Sequence, residues 1–197
     1  DMDGTLLRSD GSLSPRVRQA VREMKKQGCI IVLATGRPWK AVTETVTGLG
    51  VVDYCVCLNG ATVHQADGKV LKLNVMTEIQ TRLSAQVARR LIPNVGLAAD
   101  MADGRHIWDE HFAHDFPADF SITPVVVPDA LVAVDGPVLT WLLDCKEVPP
   151  AAAIEVMRSK FQVPIAFGHH CVDEKVVYSS LGFSPESIFF YIRSDIL

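Results

Sequence analysis

The first residues of the chain combine two carboxylates with a sharp turn. Asp1 and Asp3 are two residues apart, and Gly4 follows them directly. Two carboxylates at this spacing form a compact anionic site for a hard divalent cation, and one of them can also act as a nucleophile. Calcium loops of the EF-hand type open in the same way but require a Glu at their twelfth position, where this chain has Ser12. A solvated acidic turn is the alternative that these residues alone leave open.

Two further polar residues follow apolar segments that are typical of strands. Residues 29–34 form a continuous apolar run with β-branched members, which predicts a parallel strand buried on both faces, and Thr35 comes directly after it. A second short apolar segment, 54–58, ends at Asn59. Open α/β sheets build their sites at the carboxyl ends of parallel strands. We therefore expect Thr35, Asn59 and the acidic turn to meet at one edge of a sheet.

The residue types at these strand ends suit a phosphate group. The Thr35 hydroxyl and the Asn59 amide each offer a neutral hydrogen-bond donor to a phosphate oxygen. Gly36 and Gly60 follow them and permit close approach of the backbone. A strand-terminating cap at Thr35 and a simple turn at Asn59 are the structural alternatives.

Helices are predicted between these segments. Ser14-Pro15 is an N-cap followed by proline at the first helical position, and apolar residues recur at helical spacing until Gly28. A second helix is predicted at about 39–48. Strand, helix and strand in this order indicate a right-handed crossover and an open α/β sheet.

The second half of the chain has a different pattern. Thr77 and Gln80 form a capping box, and an apolar stripe predicts which face of the following helix is buried. That stripe consists of Met76, Ile79, Leu83, Val87 and Leu91. Asp103-Gly104 predicts a hairpin between strands at about 95–101 and 105–109. Further strands are predicted at 138–144, 163–168, 174–179 and 188–193, and a helix near 150–161. This order indicates an α+β module, so we expect two domains, 1–75 and 76–197.

Three segments resemble the first motifs of a known family. They are DMDGTLL (1–7), IVLATGRP (31–38) and LNGA (58–61), and their order and intervals also match. They are similar to the haloacid dehalogenase superfamily, specifically to its Cof-type phosphatases with a type IIB cap. The resemblance implies an α/β fold, with a Rossmann-like core containing a parallel sheet and a smaller α+β type IIB cap domain.

The resemblance also implies a phosphatase mechanism. Asp1 would attack phosphorus and form an aspartyl-phosphate, while Asp3 would protonate the leaving alcohol and later deprotonate water. Mg²⁺ would be held by a carboxylate oxygen of Asp1 and the backbone carbonyl of Asp3. Thr35, Gly36, Asn59 and Gly60 would bind the phosphate of a small phosphorylated metabolite, such as a sugar phosphate.

The chain also departs from the family pattern. The family has a strand before its first Asp and, after the cap, a catalytic lysine and a GDGxND motif, none of which these 197 residues contain. We therefore expect an incomplete core and impaired phosphatase activity for the chain as given. Two alternatives stay open, a phosphomutase of the phosphomannomutase type and a truncated homologue without catalysis.

Composition limits the remaining function classes. The chain is 48% hydrophobic and 21% charged, which is typical of a globular protein, and it has no apolar run long enough to span a membrane. Residues 1–75 hold 10 Lys and Arg against 7 Asp and Glu, whereas residues 76–197 hold 9 against 16. This balance argues against a nucleic-acid or anionic-membrane surface in the second half. The lack of a membrane span and of a signal-peptide pattern favours the cytoplasm, and the small-molecule substrate is what the resemblance implies. The sequence does not indicate an oligomeric state. Five cysteines without framework spacing predict reduced thiols.

Acids and histidines cluster between residues 100 and 119. A solvated acidic surface is the preferred interpretation. A metal site is the alternative, because His111, His114 and Asp115 could share a face if this segment were helical.

Overall fold

The computed structural model of the protein describes residues 2–112, 122–145, 148–159, 165–171, 177–178 and 188–194. These residues fall into two compact units, the first ending at Leu73 and the second beginning at Asn74. None of the helices in these ranges is long and apolar enough to cross a membrane. The division lies close to the sequence boundary at residue 75, and the assignment of two domains, 1–75 and 76–197, stays a prediction.

The first unit has helices beside a small mixed sheet. Its elements are α1 (Pro15–Lys26), β1 (Val32–Ala34), α2 (Thr43–Leu49), β2 (Tyr54–Cys57), β3 (Thr62–Gln65) and β4 (Val70–Leu73). The strand order is β1-β2-β3-β4, with β1 parallel to β2 and the other pairs antiparallel. The predicted strand, helix and strand are therefore present. The predicted helix at 39–48 is shorter than expected, because Trp39–Ala41 forms a separate 3-10 turn before α2.

Local signals in the sequence explain where α1 begins and how it is anchored. The Ser14 hydroxyl accepts a hydrogen bond of 3.2 Å from the Val17 N–H, as expected for an N-cap. Near its end, Lys25 forms a salt bridge with Asp53. The same carboxylate accepts a hydrogen bond of 2.8 Å from the Ile31 N–H, so Asp53 connects the end of α1 to the segment that leads into β1.

The prediction that residues 29–34 form a strand buried on both faces is wrong. Only Val32–Ala34 are in β1, and Leu33 is buried while Val32 is 52% exposed. Among the described residues β1 pairs only with β2, and its outward face is uncovered. The apolar core of this unit lies on the other face and includes Met2, Leu33, Val46, Leu49 and Cys55.

The second unit packs helices against a larger sheet. Its elements are α3 (Glu78–Leu91), β5 (Gly96–Met101), β6 (His106–Asp109), β7 (Val125–Val127), α4 (Ala130–Ala133), β8 (Val138–Asp144), α5 (Pro150–Arg158), β9 (Ile165–Cys171), β10 (Val177–Tyr178) and β11 (Ile188–Ser194). The strand order is β10-β9-β11-β8-β5-β6-β7. Antiparallel β5 and β6 form the hairpin predicted at Asp103-Gly104, where Gly104 has a left-handed φ of 85°. The predicted α+β character is therefore present.

The capping box that begins α3 is present, but the predicted buried stripe is partly wrong. Ile79 is 76% exposed and Leu83 is 47% exposed. The face that is buried instead carries small side chains, and the Trp141 indole N–H donates a hydrogen bond of 3.1 Å to the Thr81 carbonyl. Small residues let the helix approach this large ring closely, so they face inward in place of the larger apolar ones. They are Thr81, Ser84, Ala85 and Ala88.

Candidate active site

The first motif forms a tight turn in the first unit. Met2 is fully buried, and its carbonyl accepts a hydrogen bond of 2.9 Å from the Leu7 N–H. Asp3 has an extended backbone, and Gly4 follows with a left-handed φ of 73° that favours glycine. The chain therefore folds back directly after Asp3, whose side chain stays 26% exposed. Asp1, the predicted nucleophile and metal ligand, lies outside the described residues.

The second motif forms a closed loop at the carboxyl end of β1. The Thr35 N–H donates a hydrogen bond of 2.9 Å to the Val56 carbonyl, which continues the parallel β1–β2 pairing. The buried Thr35 hydroxyl oxygen accepts a hydrogen bond of 3.1 Å from the Arg37 N–H. Because this oxygen is an acceptor in the loop, the hydroxyl hydrogen is left to point to another group.

The third motif is a left-handed turn that contacts the second. Leu58 and Asn59 have left-handed φ values of 49° and 53°, a conformation that costs a residue such as Leu about 1 kcal/mol or more and that Asn adopts more readily. Two hydrogen bonds hold this turn in place. The Leu58 N–H donates to the Arg37 carbonyl at 3.1 Å, and the Asn59 N–H donates to the Thr35 carbonyl at 3.0 Å. The Asn59 side chain then lies against Gly36.

A salt bridge connects the first motif to the second. The Arg37 guanidinium donates from Nε to Oδ2 of Asp3 at 2.9 Å and from Nη2 to Oδ1 at 2.6 Å. Sequence reasoning gave Arg37 no role, although it follows Thr35 and Gly36 in the second motif. The sequence did contain a signal for this pairing. A carboxylate such as Asp3 is stabilised by a nearby cation, and Arg37 is a cation within another of the motifs.

The structure therefore brings together four of the predicted site residues, Asp3, Thr35, Gly36 and Asn59. Gly60 follows in the same left-handed turn, with a φ of 106°. Within the part of the chain that the structure describes, no hydrogen bond joins Asp3 directly to Thr35 or Asn59. Arg37 connects Asp3 to the Thr35 loop instead. The roles of these residues in binding and catalysis stay predictions.

The described residues offer few ligands for Mg²⁺. No group of three His, Cys, Asp or Glu side chains in these ranges is arranged to hold a metal ion. Both oxygens of Asp3 are engaged by Arg37, and the other predicted ligand, Asp1, lies outside the described residues. The described donors alone do not fit Mg²⁺.

The two cysteines of β2 are unsuited to nucleophilic chemistry. Cys55 and Cys57 are fully buried, and neither forms a disulfide. Burial raises the pKa of the Cys55 thiol to about 11 and, together with Cys55, that of Cys57 to about 12. Both thiols are therefore protonated at neutral pH and serve as core residues.

The described part of the 100–119 cluster of acids and histidines, which lies in the second unit, forms neither the metal site nor the solvated surface considered from the sequence. His106 Nδ1 lies 2.5 Å from Oδ1 of Asp100, and both side chains are buried, so this part of the cluster is not a solvated surface. His111 is exposed and follows β6 in a turn, whereas a metal site with His114 and Asp115 required a helix. His114 and Asp115 lie outside the described residues.

Comparison with known proteins identifies the class of the first segment. Residues 1–92 match the family model for haloacid dehalogenase-like hydrolases. YwpJ, a phosphatase of Bacillus subtilis, is 33% identical over 70 residues, which are 36% of this chain and 25% of YwpJ. YitU of the same organism, a 5-amino-6-(5-phospho-D-ribitylamino)uracil phosphatase, is 26% identical over 155 residues, which are 75% of this chain and 55% of YitU.

A solved structure shares the fold over most of the chain. BT4131, described as a subclass IIB sugar phosphatase of this superfamily, matches with a TM-score of 0.67 at 16% identity, over 84% of this chain and 64% of that one. The match of residues 1–92 to this family model, together with the phosphatase relatives, confirms the predicted resemblance, and the shared fold confirms the predicted fold class. The chain spans between a quarter and about half of the length of the two curated relatives.

Proposed function

We propose that the protein is a phosphatase that removes phosphate from a small phosphorylated metabolite through an aspartyl-phosphate intermediate. The observation that supports this best is the meeting of three separate segments around Arg37. Arg37 contacts Asp3 through its side chain and the Thr35 and Leu58 segments through its backbone. The match of residues 1–92 to the family model supports the same reaction class.

Thr35 and Asn59 are the proposed ligands of the phosphoryl group. The Thr35 hydroxyl oxygen accepts from the loop, which leaves its O–H to donate to a phosphoryl oxygen. The Asn59 amide is held at the same place by its contact with Gly36. Neutral donors fixed in this way stabilise the charge on the phosphoryl oxygens without moving during the reaction.

Asp1 and Asp3 are the proposed reacting carboxylates. A carboxylate oxygen of Asp1 attacks phosphorus, and the bond from phosphorus to the ester oxygen breaks. Asp3, released from Arg37 and protonated for this step, gives its proton to the departing alcohol. Asp3 then takes a proton from water, which attacks the aspartyl-phosphate and releases inorganic phosphate and free Asp1. Phosphatase relatives such as YwpJ and YitU support this reaction.

Mg²⁺ and the substrate class belong to the same proposal. We expect turnover to require Mg²⁺, which a carboxylate oxygen of Asp1 and the Asp3 carbonyl would help to hold and which would neutralise charge on the phosphoryl group. The similarity to YitU, whose named substrate carries phosphate on a ribityl chain, favours a sugar phosphate or a related polyol phosphate.

The test is turnover of p-nitrophenyl phosphate and of sugar phosphates by wild type, Asp1→Asn and Asp3→Asn. We expect Asp3→Asn to lose about a hundredfold or more. Asp1→Asn should neither turn over nor gain the mass of one phosphoryl group after acid quenching. Asp10→Asn is the matched control, since Asp10 is exposed and caps its own turn at Ser12, and it should keep wild-type activity.

Two other outcomes of this experiment would indicate a different function. An isomerised product that depends on a bisphosphate activator would identify a phosphomutase instead. A folded wild type that binds phosphate but turns over no substrate would contradict the phosphatase proposal and indicate a homologue without catalysis.

A further inference from the structure

Leu58 has a backbone conformation that its own side chain does not favour. In the ranges that the structure describes, three residues other than glycine have a left-handed φ, namely Leu58, Asn59 and Asn94. Asparagine visits this region because its short polar side chain can bond locally, whereas the β-carbon of leucine crowds the carbonyl that follows it and no such bond compensates. A residue strained in this way persists only where its surroundings hold it, and such residues cluster at functional sites.

Two kinds of interaction hold Leu58 in place. Its N–H donates a hydrogen bond of 3.1 Å to the Arg37 carbonyl, and its own carbonyl accepts one of 3.1 Å from the Ala61 N–H. Its side chain is also buried, with 7% of the residue exposed. The two hydrogen bonds use the backbone, so they are available to any residue other than proline. The buried side chain is therefore the part of the restraint that leucine itself supplies.

The conformation of Leu58 determines where Asn59 lies. Leu58, Asn59 and Gly60 have consecutive left-handed φ values of 49°, 53° and 106°. Because each peptide is planar, the two torsions of one residue set the direction of the next peptide and of the side chain that follows. In this direction the Asn59 N–H reaches the Thr35 carbonyl at 3.0 Å, and the Asn59 side chain lies beside Gly36. Relaxation of φ at Leu58 would move the Asn59 amide away from the second motif.

We propose that Leu58 is the positioning residue for the Asn59 amide in phosphate binding. This inference rests on the proposed function, in which Asn59 is a ligand of the phosphoryl group. The buried Leu58 side chain keeps the turn left-handed before any ligand arrives, so the amide does not have to be ordered on binding. A donor that is fixed in advance gives tighter binding than one that must first lose conformational freedom. Loosening the turn is therefore expected to lower phosphate affinity.

The test is the affinity for inorganic phosphate, measured by calorimetry on the 197-residue chain of wild type, Leu58→Ala and Leu58→Met. Alanine keeps the strained β-carbon but loses the buried side chain, so the turn relaxes and the affinity should fall about tenfold. Methionine keeps an unbranched apolar side chain of similar volume, so its affinity should stay within about twofold of wild type.

Leu49→Ala is the matched control. Leu49 is 1% exposed in α2 and belongs to the apolar core of the same unit. Both alanine variants remove a buried leucine side chain, so both should unfold at a lower urea concentration than wild type. Only Leu58→Ala should lose phosphate affinity. Equal phosphate affinities of the two variants would overturn the inference, since Leu58 would then contribute stability alone.

A double-mutant cycle with Asn59→Gly tests whether Leu58 acts through Asn59. Glycine tolerates the left-handed backbone at this position and removes the amide. Leu58→Ala should then cause no further loss of phosphate affinity. The same loss with and without the amide would contradict a positioning role. If Leu58→Ala does not fold, Leu58→Gly takes its place in both comparisons with the same expected result, because it removes the same side chain without the strain.

The readout is binding and not turnover, so it separates this inference from the proposed function. A wild type that binds phosphate but hydrolyses no substrate contradicts the phosphatase proposal, and the affinities of the variants still decide the role of Leu58. A wild type that binds no phosphate overturns both, because Asn59 is then no ligand of a phosphoryl group.

Discussion

The Asn59 side-chain amide lies beside Gly36, against the space that a β-carbon would occupy there. A β-carbon at Gly36 would be 3.2 Å from Oδ1 of Asn59 and 3.3 Å from Nδ2, which is closer than ordinary contact. Gly36 has no left-handed backbone that would itself require glycine. Glycine is therefore favoured at position 36 because the Asn59 side chain leaves little room for a β-carbon. This contact joins the second motif to the third.

Gly36→Ala should weaken phosphate binding without unfolding the protein. The added methyl group pushes the Asn59 amide outward by a few tenths of an ångström, away from its present place against Gly36. We expect the affinity for inorganic phosphate, measured by calorimetry, to fall about tenfold, since small displacements of a positioned donor are costly.

Gly48→Ala is the control for this substitution. Gly48 is within α2, and a β-carbon there would meet only the Leu13 side chain, at an ordinary 3.9 Å. This change should leave phosphate affinity intact and raise stability by about 0.5–1 kcal/mol, because alanine favours helix. Equal phosphate affinity in Gly36→Ala and Gly48→Ala would show that the Asn59 contact is not used in binding.

Arg89 neutralises a fully buried carboxylate in the second unit. It donates to Oδ2 of Asp109 at 3.1 Å and to Asp129 at 2.6 Å. The other oxygen of Asp109 accepts backbone hydrogen bonds from Leu97, His111 and Phe112. One charged network therefore connects α3 with the end of β6 and the start of α4.

Arg89→Met should destabilise the second unit by about 3–5 kcal/mol, because it leaves Asp109 buried without its cation. Urea unfolding followed by the fluorescence of the buried Trp108 and Trp141 measures this. Arg90→Met, on an exposed position of the same helix, should change stability by about 0.5 kcal/mol or less. Similar unfolding midpoints for the two variants would contradict the role of Arg89.

Features that depend on a few neighbouring residues were predictable from sequence. The caps at Ser14 and Thr77 and the hairpin at Asp103-Gly104 are such features, since each signal and its structural effect lie within a few residues. The β3–β4 hairpin was missed although Asp67-Gly68 between two short strands is the same kind of signal.

Features that depend on distant partners were not predictable in the same way. The buried face of α3 is set by Trp141, a residue 60 positions from Thr81, and not by the apolar residues of the helix itself. The site shows the same limit. The predicted strand ends indicated which polar residues would lie at the site. The pairing of Arg37 with Asp3 spans 34 positions, so no local pattern in the sequence indicates it.

His64 should make the first unit less stable at acidic pH. Its ring stacks on Trp39 at 4.8 Å, and Nε2 lies 2.9 Å from the Thr62 hydroxyl. Burial lowers the pKa of His64 below its ordinary value of 6.5, with the Gly68 carbonyl opposing this effect. As pH falls below about 6.5, the unfolded chain binds this proton before the folded chain does. The stabilisation is thus complete above the unfolded pKa and decreases as pH falls toward the lower, folded one.

Urea unfolding at several values between pH 7.5 and 5 tests this linkage, and His64→Gln should reduce the loss of stability across this range. The amide of glutamine can keep the bond to Thr62 but takes up no proton. His111→Gln, at an exposed position, is the matched control and should retain the wild-type dependence. The same pH dependence in His64→Gln and wild type would rule out His64 as its source.

The outward face of β1 should promote self-association of the 197-residue chain. Val32 is 52% exposed, and its exposed neighbours Ile30 and Tyr54 extend the apolar surface beside a strand that pairs on one side only among the described residues. Lysine on an edge strand opposes pairing with another chain, because its charge would have to be buried. Val32→Lys should therefore increase the monomer fraction in size-exclusion chromatography with light scattering. Val132→Lys, at a residue 79% exposed in α4, carries the same charge change and should leave the distribution unchanged. A wild type that stays monomeric at every concentration would contradict the prediction, since there would be no association for the lysine to oppose.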